Sequence, residues 1–150
     1  MLELKISTSN NQMFSTLSEC PKLEQLTLSA SLRFSLCGLS LMKSLTTLEM
    51  HNFQDQDVPA PHSLPNMKNL NIRTHDNEVC ISFLAACPNL QSLTVSLNQE
   101  FASQEIDRFI QNCSNLEIFK LTTDYKKLNS VKTNFQDLST FSPKIQFLQL

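Results

Sequence analysis

The stretch that decides the fold is a nine-residue segment in the second half of the chain, Leu90-Gln91-Ser92-Leu93-Thr94-Val95-Ser96-Leu97-Asn98. Leu93 and Val95 are two positions apart, so both side chains point to one face of a short strand while their neighbours point to the other. Leu90 adds a third apolar position three residues earlier. One strand cannot bury its apolar face alone, so this pattern requires similar strands beside it.

Weaker copies of the same apolar triplet recur along the whole chain, and they begin at Met1, Leu23, Leu45, Met67, Leu90, Leu116 and Ile145. Successive copies start 22, 22, 22, 23, 26 and 29 residues apart. This spacing is within or at the edge of the period of leucine-rich repeats, and chance would not maintain it. The chain therefore resembles a leucine-rich-repeat domain of the irregular intracellular type, with about seven repeats that cover residues 1–150.

This resemblance implies an α/β fold, a leucine-rich-repeat solenoid or horseshoe with a parallel sheet on its concave face and short helices and loops on its convex face. Between the triplets, apolar residues at helical spacing predict helices within residues 7–22, 79–87, 106–113 and 128–138. Residues 29–44 predict only a turn or short helix near Leu39, and the prolines of 53–66 predict an irregular loop. The repeat usually has Asn where Phe53, His75 and Asp124 stand, which predicts irregular spacing there.

Three of the five cysteines, Cys20, Cys87 and Cys113, lie three residues before the first apolar position of a repeat. Other repeats place Met42 and Leu64 in this column, so we interpret it as buried and structural. An odd number of cysteines does not indicate a disulfide framework. The three histidines, at positions 51, 62 and 75, lack the spacing of metal ligands. No metal and no cofactor are predicted.

Composition excludes several classes of function. A formal net charge of −2, with 12 basic and 14 acidic residues and no basic run, argues against nucleic-acid binding. The chain has neither an apolar run long enough for a membrane helix nor a secretory signal, which predicts a cytoplasmic protein without membrane contact. With one glycine and no G-x-S-x-G motif, neither a phosphate-binding loop nor a nucleophile elbow can be built, so we predict that the protein is not an enzyme.

The outward positions of the predicted strands form three columns rich in Ser, Thr, Asn and Gln, which suits hydrogen bonding to a protein partner. The strongest points are the charges of Glu49, His51 and Arg73 in adjoining repeats and the apolar pair Ile118 and Phe147. A plain solvated face is the alternative interpretation. The candidate binding residues on the predicted concave face are Glu49, His51, Asn71, Arg73, Thr94, Ser96, Ile118, Lys120 and Phe147.

Two protein families carry repeats of this kind. The segments Leu64–Leu70 and Phe141–Leu150 resemble repeats of NACHT-type (NOD-like) innate immune receptors, which implies a ligand-sensing domain. The Cys-Pro-x-Leu segments at 20–23 and 87–90 also fit F-box adaptors of ubiquitin ligases, which implies substrate recognition, and a structural scaffold segment remains a third alternative. Neither end carries a polar capping repeat, so we expect further repeats or domains of a longer protein.

Overall fold

A computed structural model describes residues 2–6, 11–29, 36–53, 63–74, 83–97, 113–123 and 146–149. These residues confirm an α/β fold built on one parallel sheet. Seven strands are described: β1 Leu2–Ile6, β2 Leu23–Ser29, β3 Thr47–Phe53, β4 Asn69–Thr74, β5 Ser92–Leu97, β6 Ile118–Thr123 and β7 Gln146–Gln149. Their order in the sheet is their order in the sequence, and every neighbouring pair is parallel. From β1 to β6, equivalent positions of consecutive repeats lie side by side, except at the register shifts after Leu2 and between Met50 and Phe53.

Short helices connect the strands. The helix α1, Asn11–Ser18, follows β1 and ends just before Cys20-Pro21, since proline does not continue a helix. A 3-10 helix, Leu36–Leu41, follows β2, and residues 83–86 are helical before β5. These three segments confirm the predictions for 7–22, for Leu39 and, in its described part, for 79–87. The helices predicted at 106–113 and 128–138 and most of the loop predicted at 53–66 lie outside the described residues.

The apolar triplets form the core on one face of the sheet. The strand registers place Leu26, Leu48, Leu70, Leu93 and Phe119 in one continuous row. A second row beside it contains Leu28, Met50, Ile72 and Val95, and the first apolar positions are Leu23, Leu45, Met67, Leu90 and Leu116. None of these side chains is more than 3% exposed. Burial of each one contributes about 1.5 to 3 kcal/mol, which makes this face the main source of stability.

A second layer of apolar side chains covers that face, and it comes from the connecting segments: Leu17, Leu39, Met42, Leu64, Phe83, Leu84, Ala86, Cys87 and Cys113. The prediction that the cysteine column is buried is confirmed for Cys87 and Cys113 but is wrong for Cys20, which is exposed. No helix in the described part of the chain is long and apolar enough to cross a membrane.

The repeats are also joined along the N-terminal edge of the sheet, where the strands begin. One backbone carbonyl of each repeat accepts hydrogen bonds from two successive N–H groups of the next. Thr46 O accepts from Lys68 N at 2.8 Å and from Asn69 N at 3.0 Å, and Lys68 O accepts from Gln91 N and Ser92 N, both at 2.9 Å. The parallel arrangement therefore begins before the strands themselves.

Asparagine side chains add a second set of links at this edge. Asn66, Asn89 and Asn115 each stand directly before the first apolar residue of a repeat. Each Nδ2 donates a hydrogen bond to a backbone carbonyl of the preceding repeat: Asn66 to Lys43 at 2.8 Å, Asn89 to Pro65 at 2.8 Å and Asn115 to Pro88 at 3.4 Å. Ser44 Oγ donates to the Pro21 carbonyl in the same way.

Replacement of Asn89 by alanine is expected to lower the free energy of unfolding by about 1 kcal/mol, because the side chain loses its bond to the Pro65 carbonyl. Urea denaturation followed by circular dichroism measures this change. Gln91→Ala removes an exposed amide side chain from the same edge and is expected to change stability by less than about 0.5 kcal/mol. Equal effects of the two substitutions would contradict the structural role of Asn89.

Candidate functional site

The side of the sheet opposite the core carries polar side chains, because residues alternate between the two faces along each strand. We call this side the open face, and its described side chains are Gln25, Thr27, Thr47, Glu49, His51, Asn69, Asn71, Arg73, Ser92, Thr94, Ser96, Ile118 and Lys120. Asn69 and Arg73 are exposed and the others are half-buried. The open face thus includes every predicted binding residue except Phe147, which is level with the core residue Phe119.

Glu49 is the centre of the hydrogen bonding on the open face. Its Oε1 accepts a hydrogen bond from Asn71 Nδ2 at 2.8 Å and lies 3.1 Å from His51 Nε2. Its Oε2 accepts from Thr27 Oγ1 at 3.4 Å. Three neighbouring strands therefore hold one carboxylate, since the registers place Thr27, Glu49 and Asn71 level with one another.

The contact between His51 and Glu49 requires a proton on Nε2, which either a neutral Nε2–H tautomer or an imidazolium supplies. The side chains are 28% and 36% exposed, respectively, so water screens their attraction. The contact therefore contributes little to stability, and its main effect is to hold the carboxylate of Glu49 in place. This fixes a negative charge in the middle of a face that is otherwise rich in neutral hydrogen-bond donors and acceptors. A second amide contact, Asn69 Nδ2 to Thr47 Oγ1 at 3.2 Å, lies one row away.

The structure does not place Arg73 in this network. Among the described residues, the basic side chain in contact with Glu49 is His51, and Arg73 is exposed. The register of β3 and β4 shifts between Met50 and Phe53, so two residues of β3 lie opposite Arg73. This bulge confirms the irregular spacing predicted at Phe53. His51 is one of the two residues opposite Arg73, so His51 and Arg73 do not form a regular register pair.

The remaining predicted residues lie on β5 and β6. Thr94 is level with Asn71 on one side and with Lys120 on the other, while Ser96 is level with Arg73. Ile118 is level with Ser92, one row closer to the N-terminal edge. Two cationic side chains, Arg73 and Lys120, therefore flank the hydroxyl groups of β5.

The predicted pairing of Ile118 with Phe147 is wrong. β7 pairs with β6 one residue away from the expected register, so that Ile118 is level with Gln146 and Phe147 is level with the buried Phe119. A shift of one residue exchanges the two faces of a strand. Since Phe147 and Leu148 are adjacent and both apolar, their alternation does not specify which of them faces the core.

Two features of the site were missed by the sequence analysis. Thr27 belongs to the Glu49 network, and the signal was its position 22 residues before Glu49, one repeat away. The second feature is a shallow polar groove at the N-terminal edge, lined in part by Asn89, Asn115, Gln91 and Lys68. The sequence feature that could have predicted this groove is the Asn that directly precedes three of the apolar triplets.

The chemistry of the described residues is that of hydrogen bonding rather than of a metal centre. Within the ranges that the structure describes, no group of three or more His, Cys, Asp or Glu side chains could hold a metal ion. The comparisons with known proteins add no family to this description: the chain matches no family model, no curated protein and no solved structure.

Proposed function

We propose that this chain is a leucine-rich-repeat solenoid that acts as a non-enzymatic recognition module and binds a protein partner through the open face. The observation that carries this proposal is the contrast between the two faces of the sheet. In β2 to β6 the described apolar side chains of one face are buried, whereas the other face presents half-buried and exposed polar side chains in rows across the same strands. In the proposed solenoid the open face is the concave side, which such folds use for extended contacts.

The Glu49 network supports a role in recognition because it orders polar groups before a partner arrives. A carboxylate held by Thr27, His51 and Asn71 loses little side-chain freedom on binding. Around it, the hydroxyl and amide groups of Thr94, Ser96 and their neighbours offer both donors and acceptors. This combination suits a protein surface, which also presents mixed polar groups.

For the parent protein we propose the sensing repeats of a NOD-like immune receptor. The support is the resemblance of the segments at 64–70 and 141–150 to repeats of such receptors. Substrate-recognition repeats of an F-box adaptor are the alternative, favoured by the Cys-Pro-x-Leu segments at 20–23 and 87–90. The coding region on either side of this sequence distinguishes them, because a nucleotide-binding P-loop supports the receptor and an F-box helical module supports the adaptor.

In a quantitative pull-down, the triple variant Glu49→Ala/His51→Ala/Arg73→Ala is expected to capture at least about tenfold less partner than the wild type. The reason is that a few central residues carry most of the binding energy of an interface. The matched control is Lys68→Ala/Gln91→Ala/Glu117→Ala. It also removes three side chains and leaves the formal net charge unchanged, but its residues are exposed at the N-terminal edge.

The control variant is expected to retain its partners. If the triple variant of the open face captures the same proteins in the same amounts as the wild type, the proposed binding face is wrong. If the control loses partners instead, binding takes place at the groove on the N-terminal edge. Thermal unfolding of both variants, followed by circular dichroism, shows that each is folded under the conditions of the pull-down.

A further inference from the structure

The second half of the open face carries positive charge without an acidic partner among the described residues. Arg73 on β4 is exposed, Lys120 on β6 is half-buried, and neither forms an ion pair with another described residue. The carboxylate on the strand next to Arg73, Glu49 on β3, is already held by His51, Asn71 and Thr27. Two cationic side chains with no acidic partner among the described residues therefore flank β5.

The strand registers set the shape of this patch. Arg73 is level with Ser96, and Lys120 is level with Thr94, so the two cations flank β5 from opposite sides and are offset by two residues. With strands about 4.8 Å apart, the two attachment points are separated by about 12 Å. Both side chains are long and flexible enough to approach one ligand above the hydroxyl groups of Thr94 and Ser96. We call these four residues the β5 patch.

We propose that the β5 patch binds an acidic segment of the protein partner, with Arg73 and Lys120 contacting Asp or Glu carboxylates and the hydroxyls of Thr94 and Ser96 donating further hydrogen bonds. This inference rests on the proposed function and names the chemistry of its partner. The guanidinium group of Arg73 matches a carboxylate with two parallel N–H donors, and Lys120 supplies a second point charge.

The charge outside the β5 patch does not favour binding of an acidic segment. Glu49 lies on β3, beside the strand of Arg73, and repels an acidic segment from that side. The chain as a whole has a net charge of −2, so it does not attract acidic peptides non-specifically. Binding of an acidic peptide would therefore report the local patch and not the average charge of the protein.

The test is fluorescence anisotropy with a labelled twelve-residue peptide of alternating Glu and Ser, and with its counterpart of alternating Gln and Ser. We expect the acidic peptide to bind and the Gln peptide not to bind. Arg73→Gln and Lys120→Gln are each expected to weaken the affinity by about fivefold, the effect of a solvent-exposed ion pair. Raising the salt concentration is expected to weaken the interaction further, because exposed charges are screened.

Lys68→Gln is the matched control, since it removes the same charge from an exposed lysine at the N-terminal edge, and its affinity is expected to equal that of the wild type. A second pair of variants distinguishes loss of the patch from loss of folding. Ser96→Asp places a negative charge inside the β5 patch and is expected to abolish binding. Ser114→Asp places the same charge on an exposed residue outside the patch and is expected to have no effect.

The inference is overturned if the wild type does not bind the acidic peptide, if the Gln peptide binds equally, or if Lys68→Gln weakens binding as much as Arg73→Gln. Binding of a phosphoserine peptide or of a single-stranded oligonucleotide in preference to the Glu peptide also overturns it. These outcomes are distinct from failure of the proposed function, because the peptide assay uses no native partner. If the pull-down depends on the open face but the acidic peptide does not bind, the proposed function is supported and only the inference about the β5 patch is wrong.

Discussion

Replacement of Leu48 by alanine is expected to lower the free energy of unfolding by about 3 kcal/mol or more. Leu48 is fully buried at the middle of the sheet, with Leu26 on one side and Leu70 on the other. Removing its three terminal carbons loses their transfer free energy and leaves a cavity. The backbone hydrogen bonds that fix β3 between β2 and β4 oppose collapse of the neighbouring repeats into that cavity, so the cost falls in the upper part of the usual range.

Urea denaturation of the purified protein, followed by circular dichroism, measures the effect. Thr94→Ala is the control, because Thr94 lies in the same sheet but on the open face, and its truncation is expected to change stability by less than about 0.5 kcal/mol. A loss of less than about 1 kcal/mol for Leu48→Ala would mean that the row from Leu26 to Phe119 is not the continuous core described above.

The strands and the core could be predicted from the sequence because two periods coincide. The period of two within each triplet sets which side chains share a face, and the period of about 22 residues sets which side chains become neighbours. Leu26, Leu48, Leu70 and Leu93 satisfy both, and each is buried in register with the next. Burial of apolar area drives this arrangement, so a pattern of apolar residues is sufficient to predict it.

Features that depend on neighbours in space were harder to predict. The β7 register is one residue away from expectation because adjacent Phe147 and Leu148 make both phases of the strand apolar. Cys20 is exposed, although Met42, Leu64, Cys87 and Cys113 at the equivalent positions are buried. In both cases the residue type was compatible with more than one environment.

The sequence predicted which face of the sheet carries the polar side chains, but it did not predict the contacts among them. The sequence analysis selected Glu49, His51 and Asn71, and the structure joins all three. The contacts themselves did not follow from the sequence: Asn71 is level with Glu49 and donates a hydrogen bond to it. Which side chains of neighbouring strands meet depends on the register, and Arg73 lies two residues beyond the position that is level with Glu49.

The thiols of Cys87 and Cys113 are expected to react far more slowly than that of Cys20 at pH 8. Burial and, as a smaller cause, the neighbouring Cys113 raise the pKa of Cys87 to about 12. Burial likewise raises the pKa of Cys113 to about 11. Since the thiolate is the nucleophile, a rise of about three pH units in the pKa reduces the reactive fraction by about a thousandfold, and burial also denies access to the reagent.

Timed alkylation with iodoacetamide, followed by mass spectrometry of peptide fragments, measures each cysteine separately. Cys20 is exposed and is expected to be modified first. Unfolding in urea removes the differences, so all three are expected to react at similar rates there. Equal rates of Cys20 and Cys87 in the folded protein would contradict the buried position of Cys87 beneath the sheet.

The same pKa values predict a loss of stability at alkaline pH. The folded-state pKa of Cys87 lies above its ordinary value of 9.0, so folding favours the neutral thiol. Its contribution is complete below pH 9 and is lost as the pH rises towards about 12, with a slope of at most about 1.4 kcal/mol per pH unit. Cys87→Ala removes this titration and is expected to flatten the decline measured by urea denaturation between pH 9 and pH 11. If the stability of Cys87→Ala declines with the same slope as that of the wild type, other groups cause the alkaline loss of stability. The control is Cys20→Ala, which removes an exposed thiol and is expected to leave the slope unchanged.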